Sequence, residues 1–225
     1  MKRLIVITTL IIALTGVCNA QNIKGFVTSG VTLAQIDGDE VYGFKKFGYV
    51  GSVGALIPLE SNERWLMSIE TMFSQRGAKG TYNYCTYKAT LPYAEIPVMA
   101  HFADKKGGWT FGLGFSYSRL VGTPKESFQW DSTRFIPNTE TPFRKNDFAV
   151  IADVRFTIWR GLKFNFRYQY SLAPIKKDWE FTEQRNRAEG FRQWTRNAYN
   201  NSMSARLIWV FGDNQNNNYK QNKKR

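Results

Sequence analysis

Few residues of this chain could carry covalent chemistry. His101 is its single histidine. Hydrolysis by a nucleophile needs a hydroxyl or thiol beside a base, with an acid orienting that base. Ser116 and Ser118 follow His101 in sequence, but they alternate with Phe115 and Tyr117 and so share the polar side of a strand. A lone histidine at a strand end reads as a packing or interfacial residue. One histidine and Cys85 do not make an ordinary zinc site. Gly48, Gly51 and Gly54, like Gly112 and Gly114, lie inside strand-like stretches and precede no helix, so they are not phosphate loops. The expectation is a non-enzymatic protein with no metal and no cofactor.

Charge is the more informative chemistry. Glu70, Glu95 and Asp153 oppose Arg155, Lys163, Arg167 and Arg206, and each stands among residues that alternate polar and apolar. Facing one another across a narrow interior, they could pair. Left unpaired in such an interior, each would cost several kcal/mol, so pairing is required. A second group, Trp179, Phe181, Arg185, Arg187, Phe191, Arg192, Trp194 and Arg196, mixes aromatics with arginine in one long connection. That composition suits a binding surface.

The positioning elements are strands. In the stretch 161–172 the residues Leu162, Phe164, Phe166, Tyr168, Tyr170 and Leu172 alternate with Lys163, Asn165, Arg167, Gln169 and Ser171, the signature of a two-faced strand. Eight such stretches are expected, at about 24–35, 46–58, 64–76, 87–102, 108–120, 147–158, 161–172 and 202–212. The connections run long, short, long, short, long, short, long. The longest are 121–146 and 173–201. All long loops thus gather at one end of an up-and-down sheet and all tight turns at the other.

The N-terminus sets the compartment. Lys2 and Arg3 precede an apolar run that ends in Cys18-Asn19-Ala20, the pattern of a secretory signal peptide over 1–20. Its loss would leave Cys85 alone, without an internal disulfide. The net charge of +13 would become +11 without Lys2 and Arg3. An exported basic protein meets anionic lipid rather than nucleic acid. No later run reaches 18 apolar residues, but membrane strands need only about 9–11 half-polar ones.

Soluble sandwiches and lipocalin-like barrels put their apolar faces inside. Sorted loops, an even strand count and aromatic ends on the apolar faces (Trp65 and Phe73, Trp109 and Tyr117, Tyr170, Trp209 and Phe211) favour lipid outside. The fold expected is all-β: an eight-stranded antiparallel up-and-down transmembrane β-barrel over 21–212, with a filled polar lumen. A disordered, basic periplasmic tail over 213–225 would follow. The expected location is the outer membrane of a Gram-negative bacterium.

Several motifs also follow one another in order: Gly38-Asp39, a Gly-rich second strand, Glu70 followed by Ser74-Gln75-Arg76-Gly77, and Tyr93-Ala94-Glu95-Ile96-Pro97. In that order they resemble the PorT-like outer-membrane β-barrel family of Bacteroidota. The resemblance spans about 22–212, and it implies an accessory role in type IX protein secretion as one alternative. The expectation ranked first is a structural or binding role through the long extracellular loops. Its partners would be outer-membrane lipid and lipopolysaccharide, with proteins at the extracellular loops or periplasmic turns. A lipid-modifying enzyme ranks last.

Overall fold

The computed structural model describes residues 23–60, 62–82, 85–104, 108–130, 135–138, 140–184 and 190–212. The expected leader, the tail over 213–225, Arg185 and Arg187 lie outside the described residues.

The chain forms β1 (Lys24–Asp37), β2 (Lys46–Pro58), β3 (Trp65–Tyr82), β4 (Cys85–Asp104), β5 (Trp109–Leu120), β6 (Lys125–Trp130), β7 (Phe135–Pro137), β8 (Asn146–Trp159), β9 (Leu162–Ser171), β10 (Lys176–Gln184) and β11 (Phe191–Val210). Eight of them follow the ring order β1-β2-β3-β4-β5-β8-β9-β11, and β11 pairs back onto β1 from Phe26–Val210 to Asp37–Tyr199. Closure leaves this ring without a sheet edge. The β3–β4 pairing passes through Ile69–Val98 and resumes at Met72–Glu95. Pro97, which has no amide hydrogen, falls in that interruption.

The alternation decides the faces. In β5, Trp109, Phe111, Leu113, Phe115 and Tyr117 are exposed, while Thr110, Ser116 and Ser118 are buried. The same inversion holds for Met67, Ile69 and Phe73 against Ser68, Glu70 and Ser74 on β3. A water-soluble protein does not expose so continuous an apolar surface. Rings meet across strands at both ends of this belt: Trp65–Phe102 at 5.2 Å and Trp109–Phe156 at 5.6 Å near the tight turns, Tyr117–Phe148 at 5.2 Å near the long connections. Trp109 and Tyr117 are about 26 Å apart along the strand. With a barrel tilt of about 40°, that gives a belt about 20 Å tall, close to a hydrocarbon core.

The long connections are not loops throughout, which corrects the expectation. β6, β7 and β10 lie within 121–146 and 173–201, β11 begins at Phe191, β3 runs on to Tyr82 and β4 starts at Cys85. β6 pairs with the upper part of β4, β10 with the upper part of β11, and β7 with β10. The reason for the miss is physical. Beyond the apolar belt both faces of a strand meet polar surroundings, so alternation fades although pairing continues.

Candidate functional site

The lumen is filled in layers. Phe26, Leu56, Ile208 and Val210 form an apolar layer near the tight turns. A larger apolar cluster, including Ile36, Tyr87, Leu91, Tyr93, Trp179 and Phe181, closes the opposite end. Charged side chains occupy the space between.

The lower charged knot centres on Glu70. Arg167 donates to its Oε1 at 2.6 Å, Arg206 to its Oε2 at 3.1 Å, and the Ser52 hydroxyl also to Oε2 at 3.1 Å. Asp153 is the second anion of this knot, 3.1 Å from both Arg155 and Arg167. Arg206 also donates through Nε to Oδ1 of the Asn165 side chain at 2.8 Å. The upper knot centres on Arg76, which binds Glu95 and lies 3.3 Å from Asp147. Gln169 links Glu95 at 3.1 Å to Ser116 at 2.7 Å. Ser171 and Asn200 donate to Asp147 at 2.8 and 3.0 Å.

Of the seven lumen charges expected, all are buried. Glu70, Asp153, Arg155, Arg167 and Arg206 come together in the lower knot. Glu95 instead joins the upper one. Lys163, on the same face of β9 as Arg167, lies four residues nearer the tight turns. Arg76 and Asp147 were missed as members. Parity could have found both, because Arg76 lies six residues from Glu70 on β3 and Asp147 six residues from Asp153 on β8.

His101, expected as a packing or interfacial residue, is fully buried in the lumen, which is the packing alternative. Its Nε2 accepts from Arg155 at 3.1 Å and lies 2.8 Å from Ser68 Oγ, while Nδ1 lies 3.5 Å from Asp153. Hydroxyl, imidazole and carboxylate therefore stand in the order of a hydrolytic triad. Two facts oppose catalysis. Arg155 already occupies the lone pair a general base would use, and Ser68 is sealed from any substrate. Gly112 makes room for this group: a Cβ there would stand 2.3 Å from His101 Nδ1 and 2.4 Å from Asp153 Oδ1. The packing role of glycine is clearer still at Gly30, where a Cβ would stand 2.7 Å from Arg206 Cα.

The long-connection end carries the second candidate site. Trp179 and Phe181, expected on a binding surface, are buried at 1% exposure; with no lipid to face, they pack inward on Tyr87 and Trp194. Lys176 is fully buried between the rings of Phe143 and Trp179, at 4.3 and 4.2 Å, and donates to Glu126 at 2.7 Å. Tyr87 donates to the same Glu126 oxygen at 2.9 Å. This latch ties β6 to β10, and burial pushes the Lys176 ammonium below its usual range, against the pull of Glu126.

Four of the expected surface residues remain accessible in the described structure. Phe191 and Arg192 are exposed, Trp194 is half-buried under Arg192 at 5.2 Å, and Arg196 donates to Glu40 at 2.8 Å. Trp194 donates to the same Glu40 oxygen at 3.2 Å. The segment 38–45 therefore docks on β11, and it presents Tyr42 at 75% exposure beside it.

Residues 19–177 match the family model described as outer membrane protein beta-barrel domain. Among curated proteins, none matches. Similar solved structures include Ail, the attachment invasion locus protein of Yersinia pestis, at 10% identity and TM-score 0.42, covering 84% of this chain and 98% of that one. Neisserial surface protein A is 10% identical with TM-score 0.44 and coverage of 84% and 99%. The outer membrane protein OprG of Pseudomonas aeruginosa is 11% identical with TM-score 0.38 and coverage of 84% and 94%.

Proposed function

Because the chain belongs to the outer membrane protein beta-barrel domain family, we propose that it is a non-enzymatic binding protein of the bacterial surface. Its recognition surface is Phe191, Arg192, Trp194 and Arg196 of β11 together with Tyr42. The observation that carries this reading is that the long connections fold as sheet around a buried core. The exposed aromatic and arginine groups thus stand on a rigid platform. Rigid aromatic and arginine anchors lose little entropy on binding. Lumen transport is disfavoured by the two apolar layers and the charge knots between them. A secretion-accessory role is ranked lower because these groups gather at the long-connection end, away from the periplasmic turns.

Arginine-rich surfaces fit acidic partners. The test is binding of the folded, labelled barrel to an array of acidic glycans and immobilised acidic proteins. The variant Phe191→Ala/Arg192→Ala/Arg196→Ala is expected to lose about tenfold in affinity, which corresponds to ~1.4 kcal/mol. Equal binding by the folded variant sinks the platform reading.

A further inference from the structure

A row of lysines crosses the outer wall above the apolar belt. Lys79 of β3 pairs directly with Lys88 of β4. On the other side of β4, Ser127 faces Lys88 and Lys125 faces Thr90, which places Lys125 diagonally next to Lys88. All three lysines are exposed. Lys46, where β2 begins, lies within electrostatic reach of Lys79 and Lys88. Cross-strand partners stand about 5 Å apart at Cβ, and like charges in that relation are destabilising. Among the described residues, no ion pair involves the three exposed lysines, whereas Lys24, Lys176 and Lys177 each take part in one. The hydroxyls of Thr81 and Thr86, 3.0 Å apart, lie next to the row on the same hairpin.

Position narrows the partner. Lys88 shares its strand face with Ile96 and Val98, which are exposed in the apolar belt. Lys79 is six residues beyond Phe73, which is about 20 Å along the strand and about 15 Å in height at a tilt of about 40°. Phospholipid headgroups extend only about 6 Å beyond the hydrocarbon. The row thus overshoots a phospholipid headgroup but lies at the height of the sugars carried by an outer-leaflet glycolipid.

We propose that Lys79, Lys88 and Lys125 bind the anionic inner sugars of the outer-leaflet glycolipid that surrounds the barrel, through phosphate or carboxylate groups. Lys46, buried on the inner face of β2, adds to the field from behind the wall, and the threonine and serine hydroxyls between the lysines donate to the sugar oxygens. The proposal rests on the outer-membrane placement and not on the Phe191–Arg196 platform, which lies on a different strand.

The test uses the full folded barrel in neutral detergent micelles. Two probes are compared: lipopolysaccharide with an intact inner core, and lipid A without core sugars. The variant Lys79→Gln/Lys88→Gln/Lys125→Gln is expected to lose at least about tenfold in affinity for the core-bearing form. Binding of lipid A should change by less than about twofold. The Lys→Arg triple variant should bind like the parent, and raised salt should weaken the parent more than the Gln variant. Heat-modifiable gel mobility shows that each variant is folded. Equal loss on both probes would assign the contact to the lipid A headgroup and overturn the proposal. So would unchanged binding of the core-bearing form. Neither result bears on the acidic-partner array, so the two readings fail separately.

Discussion

Arg167 reaches across the barrel to Glu70, meeting it at 2.6 Å from the opposite side of the ring. Their strands, β9 and β3, are four places apart in an eight-stranded circle. A contact across the full diameter ties the wall together where no backbone bond can. It also explains why the lumen is filled: small eight-stranded barrels have interiors just wide enough for side chains to meet.

Glu70→Gln removes the anion shared by Arg155, Arg167 and Arg206. Breaking a buried ion pair by deleting one partner costs about 3–5 kcal/mol. A drop of that size is expected in urea unfolding of the micelle-bound barrel. The double change Glu70→Gln/Arg167→Gln should lose less than the sum of the single changes, because the second removes an orphaned charge.

At Gly112 any side chain collides with the His101–Asp153 pair. Gly112→Ala is expected to destabilise the barrel by about 1–3 kcal/mol, the usual range for overpacking. The background His101→Ala should recover part of the loss. A double-mutant cycle from the same unfolding measurement reads the coupling.

The Lys176–Glu126 latch holds the two long connections together. Glu126→Gln leaves the buried ammonium without its anion. Limited proteolysis of folded barrel is expected to cut within 121–145 and 172–190 at least about fivefold faster, while the wall stays protected, since local opening can occur apart from global unfolding. Uniform sensitivity of parent and variant would contradict the latch.

Asp39 makes the docking of the 38–45 segment depend on pH. Burial raises its carboxyl to about 8, opposed by the Val41 amide bond and reinforced by Asp37 and Glu40. An undocked segment would return it to about 4. A group with its pKa raised in the docked state contributes fully below the undocked value, and the contribution is lost as pH rises. The Asp39 contribution to docking is therefore full below about pH 4, falls through about pH 4–8, and is lost above that. Hydrogen exchange of 38–45, corrected for intrinsic rates, should accelerate over this window in the parent. In Asp39→Asn it should stay flat.

How much was legible depended on the surroundings of each stretch. Within the apolar belt, lipid on one side and a polar lumen on the other impose strict alternation, so the barrel strands could be read residue by residue. Above the belt that contrast vanishes. The first half of β11 reads FRQWTRNAYNN without a clean apolar face, although its pairing with β10 is regular from Trp179–Arg196 to Gln184–Phe191. Trp179 shows the consequence for the site. Its type marked it as a surface anchor, but its burial depends on Tyr87 and Phe181, which only the folded sheet brings to it.

Alternation, the even strand count and the sorting of long and short connections determined by themselves that the chain closes a barrel with its charges inside. The physical reason is local, since a strand's face period is two whatever its neighbours are. Which charges meet was decided by the tertiary structure alone. Closure of β11 on β1 fixes the stagger of the ring, and the stagger sets the height of every lumen residue. It is that height which places Glu70 with Arg167, Arg206 and Asp153, and Glu95 in a separate knot with Arg76.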